Sequence, residues 1–568
     1  MSKQMRSKVR KNRVVVSVLA LFLVLPSVAG CAVDPMPVAV ERTATQAIEE
    51  VVRETVVVEG TPQVVEKLVT KVVEKEVYAM PTASPAGTGV PVVPVYGGET
   101  LPNDEPFDSM FFEHYGVNPF IDTEDDHLST FAMDVDTASY TVARRYVNEG
   151  HLPPKDAIRV EEFVNYFDQA YPGPEEGEGA FAIHLEGAPS FFGGERYYLL
   201  RVGIQGRHVH SEDRKDAVLT FVVDVSGSMD RENRLGLVKR SLRLLVDELR
   251  PTDKVGIVVY GSTAWPVLEP TSAKHKDRIM AAIEELLPSG STYAEEGLRQ
   301  GYEMAYRAFE EGAINRVILC SDGVANVGNT GAESILKTIA DYAERGIALS
   351  AVGFGMGNYN DVLMEKLANQ GDGNYAYVDT LDEARRVFVE NLTGTLQVIA
   401  KDAKIQLDFN PEVVSRYRLL GYENRDVADV DFRNDDVDAG EVGAGHSVTA
   451  LYELKFHQAA DGEDPMGRMV TVYVRYQDPD SGDVQEVARE FWRDDFRASF
   501  DEASARFQFA AAVAEYAEIL RESYWAQDSS LEAVLSLARR AGAALADDLD
   551  VAEFVWLVAQ ADRLSKGG

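Results

Sequence analysis

Residues 218–229 read VLTFVVDVSGSM, an apolar run followed by a short polar loop. An uninterrupted run of this kind is typical of a strand that is buried on both faces of a parallel sheet. A helix is predicted directly after the loop, because leucine and valine recur at helical spacing from Leu235 to Leu249. The polar loop is therefore expected at the carboxyl end of a central strand, where open α/β sheets bind their ligands.

Strands and helices continue to alternate up to residue 392, which predicts an α/β fold with a doubly wound, mostly parallel sheet of the Rossmann type. We place this central domain at residues 215–395. Its further predicted elements are the strands 255–260, 316–321, 347–352 and 375–378 and the helices 294–309, 332–344 and 381–392.

Two more polar residues fall at strand-to-helix junctions of the predicted sheet. Thr292 precedes a predicted helix in the sequence GST, and Asp322 follows a predicted strand in the sequence SDG. With the loop after residue 223, they would bring oxygen ligands from three loops to one sheet edge, a set that suits Mg²⁺, Mn²⁺ or Ca²⁺. The alternative is that the aspartate and serines of the first loop only cap the following helix.

Asp224, Ser226, Ser228, Thr292 and Asp322 fill, in order, the five positions of a metal-ion-dependent adhesion site. The central domain thus resembles a von Willebrand factor type A (VWA) domain. The resemblance implies that the serine and threonine hydroxyls contact the ion and that the aspartates act largely through water. It also implies a divalent cation as cofactor, Mg²⁺ first with Mn²⁺ or Ca²⁺ as alternatives, and a protein partner whose acidic side chain completes the coordination.

The amino terminus reads as an export signal. Six basic residues precede the apolar run 14–25, which is short for a membrane span, and residues 28–31 read VAGC. This order resembles a bacterial lipobox, which implies a signal peptide at residues 1–30 and lipidation of Cys31. We expect an extracytoplasmic lipoprotein anchored in a membrane; the alternative is an uncleaved anchor with a coincidental cysteine.

Low-complexity sequence separates the predicted anchor from the folded part. Residues 31–106 repeat valine pairs with charged residues and then become rich in proline and glycine, which is typical of a tether. We assign residues 107–214 to an accessory segment of helices and strands, residues 400–495 to a β-rich domain and residues 496–568 to a helical segment.

The formal net charge is −37, and loss of the six basic residues before position 31 would make it about −43. Such an acidic chain is a poor partner for nucleic acid and favours cations and solubility. The chain has two cysteines, Cys31 and Cys320. Because Cys320 lies in an apolar predicted strand, we expect a buried and inert thiol.

The order of parts also resembles bacterial VWA lipoproteins, in which a helical segment like residues 134–140 (DVDTASY) precedes the VWA domain and a further domain follows. The same residues are similar to a phosphatase motif, but the doubly wound domain that this motif requires does not follow them. We therefore predict that Asp136 or Thr137 caps a helix, with a second cation site as the alternative.

These observations favour a metal-dependent binding module for adhesion or assembly, and not an enzyme. A metal-dependent hydrolase is the first alternative, but it would need a general base, and the five candidate ligands include no histidine. A structural envelope protein whose ion only stabilises loops is the second alternative.

Overall fold

The computed structural model describes residues 42–58, 61–77, 110, 112–175, 177–231, 234–323, 332–355, 359–435, 437–458 and 465–567. The chain divides into two units, residues 1–94 and residues 95–568. In the first unit, strands β1 (Arg42–Val58) and β2 (Thr61–Val77) pair antiparallel along their whole length. The predicted tether thus contains two paired strands. The predicted signal peptide and Cys31 lie outside the described residues.

The second unit contains a six-stranded sheet that confirms the predicted α/β fold class. Its strand order is β12-β11-β10-β7-β8-β9, parallel throughout except for the antiparallel edge strand β9. The strands are β7 (Ala217–Asp224), β8 (Lys254–Tyr260), β9 (Ala264–Ser272), β10 (Ile314–Ser321), β11 (Ile347–Phe354) and β12 (Tyr375–Val378).

Helices connect most of these strands, and three of the four predicted helices match an observed helix within a few residues. The observed helices of this domain are α3 (Leu235–Glu248), α4 (Lys276–Glu284), α5 (Ala294–Arg307), α6 (Ala332–Ala343), α7 (Asp361–Asn369), α8 (Leu381–Arg385) and α9 (Leu392–Leu396). The predicted helix 381–392 is helical in the structure but not one regular helix: α8 continues into a π-helical turn, Arg386–Glu390, and Asn391 separates this turn from α9. Strand β9 and helices α4 and α7 were not predicted.

Two further sheets combine strands from both sides of the central domain. One has the order β15-β13-β17-β18, with β4 also paired to β13, and the other has the order β3-β14-β16-β6-β5. The early strands are β3 (Ile121–Asp122), β4 (Leu128–Ala132), β5 (Phe181–Pro189) and β6 (Tyr197–Gly206). The late strands are β13 (Val398–Phe409), β14 (Val414–Leu420), β15 (Gly440–Gly443), β16 (Ser447–Phe456), β17 (Arg468–Gln477) and β18 (Val484–Trp492). Segments 107–214 and 400–495 therefore share both sheets.

Five helices outside the central domain share one apolar core with it. They are α1 (Ala138–Asn148), α2 (Val160–Asn165), α10 (Ala505–Leu520), α11 (Leu531–Ala543) and α12 (Leu549–Gly567). None of the helices in the described ranges is both long enough and apolar enough to cross a membrane.

A buried cation joins helix α1 to the central domain. The guanidinium of Arg144 on α1 donates to Asp379 at 2.5 and 2.9 Å and to Glu383 at 2.8 Å, and all three side chains are almost inaccessible to solvent. It also reaches Glu553 on α12 at 3.1 Å. One side chain thus links the amino-terminal helix, the central domain and the last helix.

We predict that Arg144→Leu lowers the free energy of unfolding by about 3–5 kcal/mol, because it removes the cation that is hydrogen-bonded to the buried carboxylates of Asp379 and Glu383. Arg385→Leu, at an exposed position of α8, is the matched control and should change it by less than about 0.5 kcal/mol. Urea denaturation of both variants measures the difference. Equal stability of the two variants would show that the Arg144 ion pairs contribute nothing.

Candidate functional site

The loop after β7 holds three of the predicted ligands. Asp224 is fully buried, and its carboxylate accepts a hydrogen bond from the Ser226 amide at 2.8 Å and one from the Ser321 hydroxyl at 3.0 Å. The hydroxyl oxygens of Ser226 and Ser228 lie 3.0 Å apart, and Ser228 is exposed. Ser226 precedes a short 3-10 helix, Gly227–Asp230, but its side chain makes no capping bond there, and α3 begins after Arg234, which makes none either. The capping alternative therefore does not explain the serines.

Backbone hydrogen bonds attach the Thr292 loop to this first loop. The amide of Gly227 donates to the Gly290 carbonyl at 2.9 Å, and the amide of Ser289 donates to the Val225 carbonyl at 2.5 Å. Thr292 follows, half-buried, two residues before α5 begins. The loops are thus neighbours at one sheet edge.

Glycine is required at position 290 for two reasons. Its φ of +83° lies in the left-handed region, and a Cβ there would lie 2.6 Å from the Ser262 amide nitrogen. The hydroxyl of Ser262 in turn accepts from the Ser291 amide at 3.0 Å. The position of the Thr292 loop therefore depends on a residue without a side chain.

Asp322 completes the group at the end of β10, which runs parallel to β7 with Cys320 opposite Val223. Its buried carboxylate contacts the guanidinium of Arg234, which also donates to the Ser228 carbonyl at 3.0 Å. The sequence analysis missed Arg234. Arg234 lies just before α3, and nothing in the local sequence indicates that it contacts Asp322, 88 residues further along the chain.

The electrostatics of this edge favour a cation. Burial, followed by the negative charge of Asp322, raises the pKa of Asp224 to about 7, although hydrogen bonds from Ser226 and Ser321 oppose the shift. Burial also raises the pKa of Asp322, and Arg234 opposes that shift. Two neighbouring buried carboxylates are costly unless positive charge lies close to them. Hydroxyl and carboxylate oxygens are the ligands that hard divalent cations prefer, so these residues fit such an ion.

Two other sequence predictions have clear outcomes. Cys320 is fully buried and free, and burial raises the pKa of its thiol, as expected for an inert side chain. The prediction that Asp136 or Thr137 caps a helix is right in position only: Thr137 is the N-cap residue of α1, but its side chain makes no capping bond, and Asp136 accepts from the Tyr375 amide at 2.9 Å. The carboxylate of Glu162 instead accepts from the Ser139 amide at the start of α1, at 2.7 Å.

Family models match three consecutive parts of the chain. The model "von Willebrand factor" matches residues 106–200, "von Willebrand factor type A domain" matches residues 219–391, and "Uncharacterized protein YfbK, C-terminal" matches residues 394–564. The resemblance to VWA proteins with accessory parts on both sides is therefore confirmed.

Two relatives and one solved structure illustrate the similarity. The protein YfbK of Escherichia coli strain K12 is 37% identical over 450 residues, which are 76% of this chain and 77% of YfbK. The protein sll0103 of Synechocystis is 26% identical over 50% of this chain and 67% of its own length. A von Willebrand factor type A structure from Catenulispora acidiphila aligns at 15% identity with a TM-score of 0.41, covering 66% of this chain and 89% of that one. From the extent of its identity with YfbK and the three matching models, the chain belongs to the YfbK family of von Willebrand factor type A proteins.

Proposed function

We propose that this protein is a cell-envelope lipoprotein whose VWA domain binds a divalent cation, preferably Mg²⁺, and through it a protein partner. The observation that carries the proposal is the hydroxyl pair of Ser226 and Ser228, 3.0 Å apart beside the buried carboxylates of Asp224 and Asp322. Thr292 would supply a third hydroxyl from the adjacent loop.

The ligand set explains why the ion would bind a partner. Asp224 already accepts two protein hydrogen bonds and Asp322 contacts Arg234, so neither carboxylate is free to neutralise the ion fully. An ion held mainly by neutral hydroxyls and water keeps a strong preference for a further anionic oxygen. Ser228 is exposed, so an aspartate or glutamate of a partner could approach the ion from solvent.

Binding is favoured over hydrolysis by the chemistry of the same residues. A metal-dependent hydrolase needs a general base within hydrogen-bond reach of the attacking water. Among the described residues, the side chains around the candidate ion are hydroxyls, two carboxylates held in hydrogen bonds or ion pairs, and the always charged guanidinium of Arg234. The export signal and the lipobox cysteine would place this binding surface outside the cytoplasm.

We predict that the full chain binds Mn²⁺ or Mg²⁺ saturably at this site and that the Ser226→Ala, Ser228→Ala double variant loses one bound ion per chain. Isothermal titration calorimetry measures the stoichiometry, and Ser211→Ala, in an exposed turn, is the matched control. Envelope proteins that bind the immobilised chain in the presence of Mn²⁺ should be released when EDTA removes the ion. The same proteins should not bind the immobilised double variant. An unchanged ion count in a folded double variant would refute the metal site.

We also predict that Gly290→Ala weakens Mn²⁺ binding by at least about tenfold without removing a ligand, because the Cβ displaces the loop that carries Thr292. Gly312→Ala is the matched control: its φ of +78° imposes a similar backbone cost of about 1–2 kcal/mol, but a Cβ there meets nothing within 4 Å. Calorimetric titration compares the two variants. Equal affinities would show that the position of the Thr292 loop does not matter for the ion.

For the anchor, we predict that Cys31→Ser abolishes lipid attachment. The variant should then leave the membrane fraction, from which only detergent releases the wild type, and appear in the soluble fraction. Intact-protein mass spectrometry and membrane fractionation measure the two effects. Cys320→Ser, which leaves Cys31 in place, should keep the lipid. A wild-type chain without added lipid mass would contradict the lipoprotein assignment.

A further inference from the structure

A second group of acidic side chains lies well away in sequence from the VWA loops. One carboxylate oxygen from each of Asp134, Glu161 and Glu162 lies within 4.8 Å of the other two, and the three residues are 4%, 1% and 0% exposed. We call these three residues the buried acidic cluster. They come from the segment before α1 and from the first turn of α2.

The three carboxylates are unequally satisfied. Asp134 accepts from the Asp136 amide and from the Arg425 guanidinium, both at 2.9 Å, and Glu162 accepts from the Ser139 amide and contacts Arg159. Glu161 accepts from the Tyr422 amide through Oε2 at 2.9 Å, but its buried Oε1 has no hydrogen-bond partner. A fully buried carboxylate oxygen without a donor is costly, so a cation, a water or a proton is expected beside Oε1 of Glu161.

The charges around the cluster do not balance. Arg159 and Arg425 are the two guanidiniums in the network of ion pairs that the described residues form here. Each contacts more than one acid: five carboxylates share the two cations and that of Glu161 pairs with neither, so six ionised carboxylates would leave four negative charges. The six carboxylates, all buried, belong to Asp134, Asp136, Glu161, Glu162, Asp361 and Glu365.

Further buried acceptor atoms without a hydrogen-bond donor lie beside the cluster, although one of them is 3.8 Å from the Arg159 guanidinium. Oε2 of Glu365 and Oδ1 of Asn424 are also buried without a hydrogen-bond donor. Asp134 and Asn424 line a cavity of about 200 Å³, and Asn424 and Glu161 line a smaller one beside it. The cavities offer an entry path and room for water ligands near the cluster.

We propose that the buried acidic cluster is a second cation site, of the calcium class, separate from the VWA site. Ca²⁺ accepts six to eight oxygen ligands at about 2.3–2.6 Å in flexible geometry, so one ion can reach oxygens that lie up to 4.8 Å apart. Such an ion would hold together the segment before α1, the start of α2 and the segment after β14 that contains Tyr422 and Arg425. It would act as a structural clamp between the early and late parts of the chain.

A bound proton is the competing explanation, since burial and the charges of Glu423 and Glu162 raise the pKa of Glu161 to about 8. The two explanations predict opposite responses to metal. An ion stabilises the folded chain by a free energy that rises with the logarithm of its free concentration above the Kd, whereas a proton makes the chain indifferent to metal and less stable as the pH rises from about 4.5 through about 8.

The experiment uses the full chain in detergent, freed of metal, with Ser226→Ala and Ser228→Ala introduced so that the VWA site does not contribute. We expect one Ca²⁺ per chain by calorimetry and a rise in Tm with Ca²⁺. Glu161→Gln should weaken Ca²⁺ binding at least tenfold and remove the rise, while Glu195→Gln, at an exposed turn, should do neither.

If Glu161→Gln does not fold, native mass spectrometry of the unaltered chain and of the serine double variant decides the matter by ion count. One Ca²⁺ retained by the double variant supports the second site, and none overturns it. A proton would be assigned to the site by two results together: the chain binds no Ca²⁺, and Glu161→Gln is more stable than the chain with Glu161 in metal-free buffer above pH 8. If only the proposal of the VWA metal site is wrong, the chain should still bind one Ca²⁺, and Glu161→Gln should still lower the affinity for it.

Discussion

Two buried carboxylates, brought side by side by the parallel pairing of β7 and β10, constrain the rest of the functional edge. The strands end at Ser321 and Asp224, so Asp224 and Asp322 project into the same small region. Like charges in a region of low dielectric repel strongly, and the molecule compensates with hydroxyl donors and with the guanidinium of Arg234. The proposed ion would add the positive charge that this arrangement favours, and the serine pair lies beside it.

The VWA domain does not stand alone in this chain. Strands from before and after it form two shared antiparallel sheets, and helices from both ends of the chain pack into a common core with it. Charged side chains hold these parts together: Arg144 joins α1 to the central domain, and Arg425 joins the segment after β14 to Asp134. Buried ion pairs give directional contacts, which suit joints between segments that are far apart in sequence.

The sequence predicted what depends on local periodicity. The buried strands, the helices between them and the loop positions of Asp224, Ser226, Ser228, Thr292 and Asp322 follow from apolar patterns a few residues long. Pairing between distant strands leaves no local trace, so the joint sheets of residues 121–206 and 398–492 were not predictable in their register.

The burial of these charged residues could not be predicted from the sequence either. Adjacent glutamates at positions 161 and 162 read as ordinary surface charges of a first helical turn, yet both are buried, because late strands and helices cover them. The contact between Arg234 and Asp322 depends on tertiary folding in the same way. Aspartate is a common helix-capping residue, but the carboxylate of Asp136 accepts a hydrogen bond from the amide of Tyr375 on β12 instead.

Anomalous diffraction from crystals of the protein grown with Mn²⁺ tests the central claim most directly. The account predicts a strong anomalous peak in contact with the hydroxyls of Ser226 and Ser228, beside Asp224 and Asp322. Crystals that contain Mn²⁺ but show no peak there, with the Arg234 guanidinium still bound to Asp322 and the serine hydroxyls bonded only to each other, would contradict it.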